Sequence, residues 1–150
     1  MESRASSAVS AASVVAELLA CGRDARFCAP GGSMRPTIRG GETIIAAPAA
    51  PGDIARGDII LFRRGARLVA HRVVRIAAGE DGAPRFLTRG DAAAGPDLPA
   101  CAADVLGRIV AVERKGRRID ITAHGVWRGR VARWRAFARR AGRCVRAVLP

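Results

Sequence analysis

Arg56-Gly57-Asp58-Ile59-Ile60-Leu61-Phe62-Arg63-Arg64-Gly65-Ala66-Arg67-Leu68-Val69-Ala70-His71-Arg72-Val73-Val74-Arg75-Ile76 holds two β-like runs, at 58–63 and 67–76, behind a Gly-Asp break. Short apolar runs bounded by Gly and Asp read as strands rather than helices. The pattern repeats along the chain, with β-like runs at 26–29, 43–47, 85–88, 105–113 and 117–122. Pro51-Gly52-Asp53, Gly79-Glu80-Asp81-Gly82 and Gly95-Pro96-Asp97 separate them. Lys115-Gly116, between the last two runs, reads as a hairpin turn. The expectation is one compact, mainly β domain over 25–123, barrel-like or folded over itself. A length of 150 residues suits one domain with a real core.

The two ends read differently. Val14, Val15, Leu18 and Leu19 fall at helical spacing, and Gly22 is a plausible stop, so 1–24 is expected to hold a short helix. Its apolar run, 8–21, is interrupted by Glu17 and falls short of the roughly 20 apolar residues a bilayer needs. Leu18-Leu19-Ala20-Cys21 looks like a lipoprotein cleavage box, but Glu2 offsets Arg4 and the start lacks a basic region, so no signal peptide is read here. In 124–150, Trp127, Val131, Trp134, Ala138, Ala141, Val145 and Val148 form one apolar helical stripe among eight arginines. The net charge is +13, and residues 126–150 hold +8 of it with no acid. Two readings of 126–148 stand side by side: an amphipathic helix on an anionic membrane surface, or a helix packed on the β domain with solvated arginines. The expected location is peripheral membrane or cytoplasm. Nucleic acid is not the expected partner, because no recognition motif accompanies the charge.

Chemistry narrows to few side chains. Ser33 lies in Gly31-Gly32-Ser33-Met34-Arg35-Pro36-Thr37-Ile38, where flanking glycines permit a tight turn and a close substrate approach, and Pro36 stiffens the segment just past the serine. His71 lies in an apolar run, while Asp91 and Asp97 come later, in turns. These are the residue types of a nucleophile, a base and an orienting acid. The one lysine, Lys115, stands among charges, the opposite of the desolvated setting a lysine base needs. His124 precedes the basic segment and is the weaker choice of base. Cys21, Cys28, Cys101 and Cys144 form no CxxC pair and, with two separated histidines, no zinc spacing. They read as ordinary thiols, and neither metal nor cofactor is expected. Each residue also has a plain structural reading: a turn serine, a strand histidine, turn aspartates.

Gly-Ser-Met-x-Pro-Thr at 32–37, the Gly-Asp and strand at 57–63, Ala-His-Arg-Val-Val at 70–74 and Thr-Arg-Gly-Asp at 88–91 together resemble the type I signal peptidase family, in the broader S24/S26 serine peptidase group. The resemblance covers about 27–112. It implies a peptidase domain of that type and an endopeptidase that cleaves signal-peptide-like or leader segments of protein precursors, with small residues on the acyl side of the cut. Where the common bacterial branch has lysine, this chain has His71, as in the branch found in archaea and the endoplasmic reticulum. By the resemblance Ser33 is the nucleophile, His71 the general base, Asp97 the third member and Asp91 a supporting acid. Gly31, Gly32, Met34 and Pro36 would meet substrate. The chain departs from the family in having Ala92 and Ala93 where asparagines are usual, and Gly31 where a serine often assists the oxyanion. Nor is 1–24 read as the membrane anchor that members normally carry. Two other readings remain: a non-catalytic peptide- or membrane-binding module on a peptidase fold, and a repressor-type autoprotease domain.

Overall fold

The computed structural model describes residues 10–122. One helix, α1 (Ala11–Ala20), precedes eight strands: β1 (Ala25–Ala29), β2 (Glu42–Ala47), β3 (Ile59–Arg64), β4 (Arg67–Ala78), β5 (Pro84–Arg89), β6 (Ala100–Cys101), β7 (Val105–Arg114) and β8 (Arg117–Asp120). Residues 124–150, read above as an amphipathic helix, lie outside the described residues.

Helix α1 is short and closed at both ends. The Ser10 side chain accepts from the Ser13 N–H at 3.1 Å, an N-cap. At the other end Gly22 has φ +73°. Its N–H donates to Leu19 O at 3.0 Å, and the Arg23 N–H donates to Leu18 O at 2.9 Å. This pair of bonds is a Schellman stop, and a side chain at Gly22 would strain it. Val15, Ala16 and Leu19 form the buried face. No helix among the described residues is long and apolar enough to cross a membrane.

All strands join one antiparallel sheet in the order β1-β2-β7-β3-β4-β5-β6, with β8 also paired to β7. The sheet is mainly buried on both faces at β3. Ile59 and Leu61 enter one core cluster with Val15, Met34, Ile38 and Ile109. Ile60 and Phe62 enter a second with Val73, Phe86 and Ala100. That explains a continuous apolar run where a half-exposed strand would alternate. Phe62 and Phe86 are essentially buried, and truncating either to Ala removes about 3–5 kcal/mol. Register shifts at Ile45/Ala46, Leu61/Phe62 and Val73/Arg75 bend the strands, so the sheet folds over its own cores.

Two pairing facts place the site. Strand β4 pairs with β3 over Arg67–Arg72 but with β5 only from Arg72 onward. Its first five residues therefore keep one open edge among the described residues. Among the described residues strand β1 pairs with β2 alone, so its outer edge is open there too. Counted from the two-residue turn that joins Arg64 to Arg67, antiparallel alternation directs the N–H and C=O of Leu68 and Ala70 toward the open edge.

Candidate active site

Ser33 stands on the loop between β1 and β2. The loop is anchored by its apolar residues: Met34 is 4% and Ile38 2% exposed, and the Ile38 N–H donates to Met34 O at 2.9 Å. Ser33 itself stays exposed. His71 lies in β4 opposite Ile60, and its side chain is 13% exposed. Ser33 Oγ is 3.0 Å from His71 Nε2. On the far side of the ring, His71 Nδ1 meets Asp97 Oδ2. Asp97 is held by Thr88, whose hydroxyl donates to the same Oδ2 at 3.0 Å and whose carbonyl accepts from the Asp97 N–H at 2.7 Å. With Nδ1–H donated to a carboxylate, Nε2 is left to accept the serine proton.

Asp91 does different work. Arg72 grips its two oxygens, Nε to Oδ1 and Nη2 to Oδ2, both at 2.7 Å, and the Thr37 hydroxyl donates to Oδ2. Burial pushes the Asp91 carboxyl up, but the hydrogen bonds from Arg72 and Thr37 and the attraction of Arg72 and Arg89 outweigh it and hold it below its ordinary range. Asp91 thus ties the Ser33 loop, through Thr37, to the strand that carries His71, through Arg72. The Ala92 N–H adds a bond to Ser33 O at 2.9 Å. Between these groups lies Gly90. A Cβ there would sit 2.7 Å from Ser33 O, 3.2 Å from Ser33 Cβ and 3.3 Å from His71 Nε2, so only glycine fits.

Ser33 and His71 lie at one end of a cleft of about 760 Å³. Its walls are β1, the first half of β4 and the start of α1, and its floor includes Met34, Ile38, Ile44 and Leu61. Gly31 and Met34 line it; Gly32 and Pro36 are exposed on the loop and do not. Lys115 is exposed at a turn with φ +50°. His124 and Cys144 lie outside the described residues, and Cys21, Cys28 and Cys101 are free thiols. Among the described residues no group of three or more His, Cys, Asp or Glu side chains is placed to hold a metal.

The resemblance already sets Asp97 on His71 and Asp91 in support; the structure places the Asp97 carboxylate on His71 and the Asp91 carboxylate on Arg72 and Thr37. Thr88, Arg72, Thr37 and Gly90 stand in the same motifs without a mark of their own. Arg72 carries the nearest thing to a signal, a cation directly after His71 between Leu68-Val69-Ala70 and Val73-Val74. Compared with models of protein families and with curated proteins, the chain matches none.

Proposed function

We propose that this protein is a serine endopeptidase of the signal peptidase kind, its sheet a variant of the S24/S26 peptidase fold, acting on extended leader-like segments of protein precursors. The observation that carries the reading is the Ser33–His71–Asp97 chain of contacts at the end of an apolar cleft between two open strand edges.

A substrate segment adds as a strand in that cleft, bonding to the outward groups of Leu68 and Ala70. His71 Nε2 takes the Ser33 proton as Oγ attacks the scissile carbonyl, and Asp97 supports the imidazolium that forms. Backbone N–H groups, including that of Ser33, hold the oxyanion. The protonated Nε2 then passes its proton to the leaving amine and the C–N bond breaks, leaving an acyl group on Ser33. Water repeats the sequence to release it, with His71 again as base. The apolar floor suits apolar side chains on the acyl side of the cut, and the family resemblance implies that these are small.

Incubation with a fluorophosphonate, followed by peptide mass spectrometry, tests the reading. Labelling is expected at Ser33, to be abolished in Ser33→Ala and to be slower by on the order of a thousandfold in His71→Ala, with the fold of both retained by circular dichroism. Equal labelling of wild type and Ser33→Ala would sink the serine mechanism.

A further inference from the structure

The cleft changes character along its length. Near Ser33 it is apolar; at the start of β4 it is bordered by Arg64 and Arg67, and among the described residues no acidic side chain lines it. These two arginines are a cross-strand pair, so they share one face of the sheet with Val69 and His71. Arg64 is committed: it donates to Leu98 O at 2.8 Å and lies 5.2 Å above the Phe62 ring. The Arg67 side chain is exposed and makes no ion pair or hydrogen bond among the described residues. An uncommitted guanidinium at the rim of a cleft is a ready partner for a carboxylate.

We infer that Arg67, with Arg64 beside it, selects substrates that carry an acidic side chain about four to six residues upstream of the cut. The inference rests on the peptidase reading above and adds the substrate's chemical class. Both β1 and β4 run toward the reacting end, Ser33 coming after β1 and His71 after Leu68–Ala70. An acyl-side segment in the cleft therefore runs parallel to both, its upstream end toward Arg67. From His71 to Arg67 is four residues, about 13 Å at about 3.3 Å per residue. Side chains of an extended substrate alternate. One set enters the apolar floor, and the other lies on the face of Val69 and Arg67, where an acid meets the cation.

The test uses the full chain with Ser33→Ala, so that affinity is read without turnover, and fluorescent peptides with a small-residue cut site. Glu is scanned through six positions on each side of the cut, against Gln at the same place, and binding is measured by anisotropy. The expected result is two- to fivefold tighter binding for Glu at an upstream position, about the effect of an exposed ion pair. The preference should fade at high salt and reverse toward Lys in Arg67→Glu. Equal binding of Glu and Gln peptides, a preference only downstream of the cut, or a preference that persists unchanged in Arg67→Glu overturns the inference. Fluorophosphonate labelling of the wild-type chain is run alongside. Acid selectivity without labelling of Ser33 supports the inference and overturns the acyl-transfer chemistry. Labelling without selectivity does the reverse.

Discussion

Asp97 holds the His71 ring and Asp91 holds the Ser33 loop, and each hold has a separate consequence. Asp97 fixes the ring through Nδ1, so Asp97→Ala should lower kcat by on the order of a hundredfold or more while KM moves little. Asp91→Ala is expected to cost less in kcat, because it loosens the Ser33 loop rather than the ring. A larger kcat loss in Asp91→Ala than in Asp97→Ala would reverse the assignment. Gly90→Ala gives a third test. Its methyl group would collide with Ser33 O and crowd His71 Nε2, so Ser33 and His71 must part. A separation near 1 Å costs roughly a hundredfold in rate. A Gly90→Ala protein with full activity would show that the loop yields at no cost. Ser33, His71 and the two aspartates stand out in the chain through the ordered set of motifs that holds them, and the structure brings Ser33, His71 and Asp97 into contact. Thr88 does not stand out, since a threonine hydroxyl that steadies a carboxylate looks like any strand threonine.

At the scale of elements, the loop that carries Ser33 is also clamped from β7. Arg114 donates from Nη2 to Thr37 O at 3.1 Å and to Glu42 Oε2 at 3.0 Å, and the Arg39 N–H reaches the same oxygen at 2.8 Å. The hydrogen bond from Arg114 leads the effects that hold the Glu42 carboxyl at about 2, against an ordinary 4.5. A lowered folded-state value means stability that is present above the ordinary value and lost as pH falls toward about 2. Glu42→Gln should therefore be less stable than wild type near neutral pH, and the gap in urea midpoint should close between about pH 5 and pH 2. Parallel midpoint curves for the two proteins would rule the clamp out as a stabilising feature. Seven strand positions are legible from apolar runs, within one or two residues at each end. Strand β6 is not, because two residues carry no period and Ala100–Cys101 is a strand only by pairing with β5. The end of β4 at Ala78 is likewise set by its partner Pro84 rather than by hydrophobicity. The cleft has no signature at all: open edges depend on which strands pair over which residues, and that is not local.

At the scale of the whole molecule, a buried ion pair ties β7 to the residue that leads into β3. Asp58, just before β3, and Arg108, in β7, meet at 2.7 Å with side chains 8% and 7% exposed, and Asp58 also accepts from the Ala55 N–H. Removing the Asp58 carboxylate takes a close anion from a buried guanidinium, so Asp58→Ala should lower unfolding free energy, and a double-mutant cycle with Arg108→Met should show coupling between the two side chains. Additive losses would show that the two side chains act independently. This pair is hidden in the chain, since Gly57-Asp58 reads as punctuation until β7 lies against it. The bond network around Asp91 has one more consequence, which concerns motion. Thr37, Arg72 and the Ala92 amide come from three separate stretches of chain and meet at one turn. Moving any one of them breaks a bond to the others, so opening of the Ser33 loop is expected to be coupled to its neighbours. In native-state hydrogen exchange, the Ala92 and Asp97 amides should exchange at rates near those of the β3 core, opening only when the sheet does.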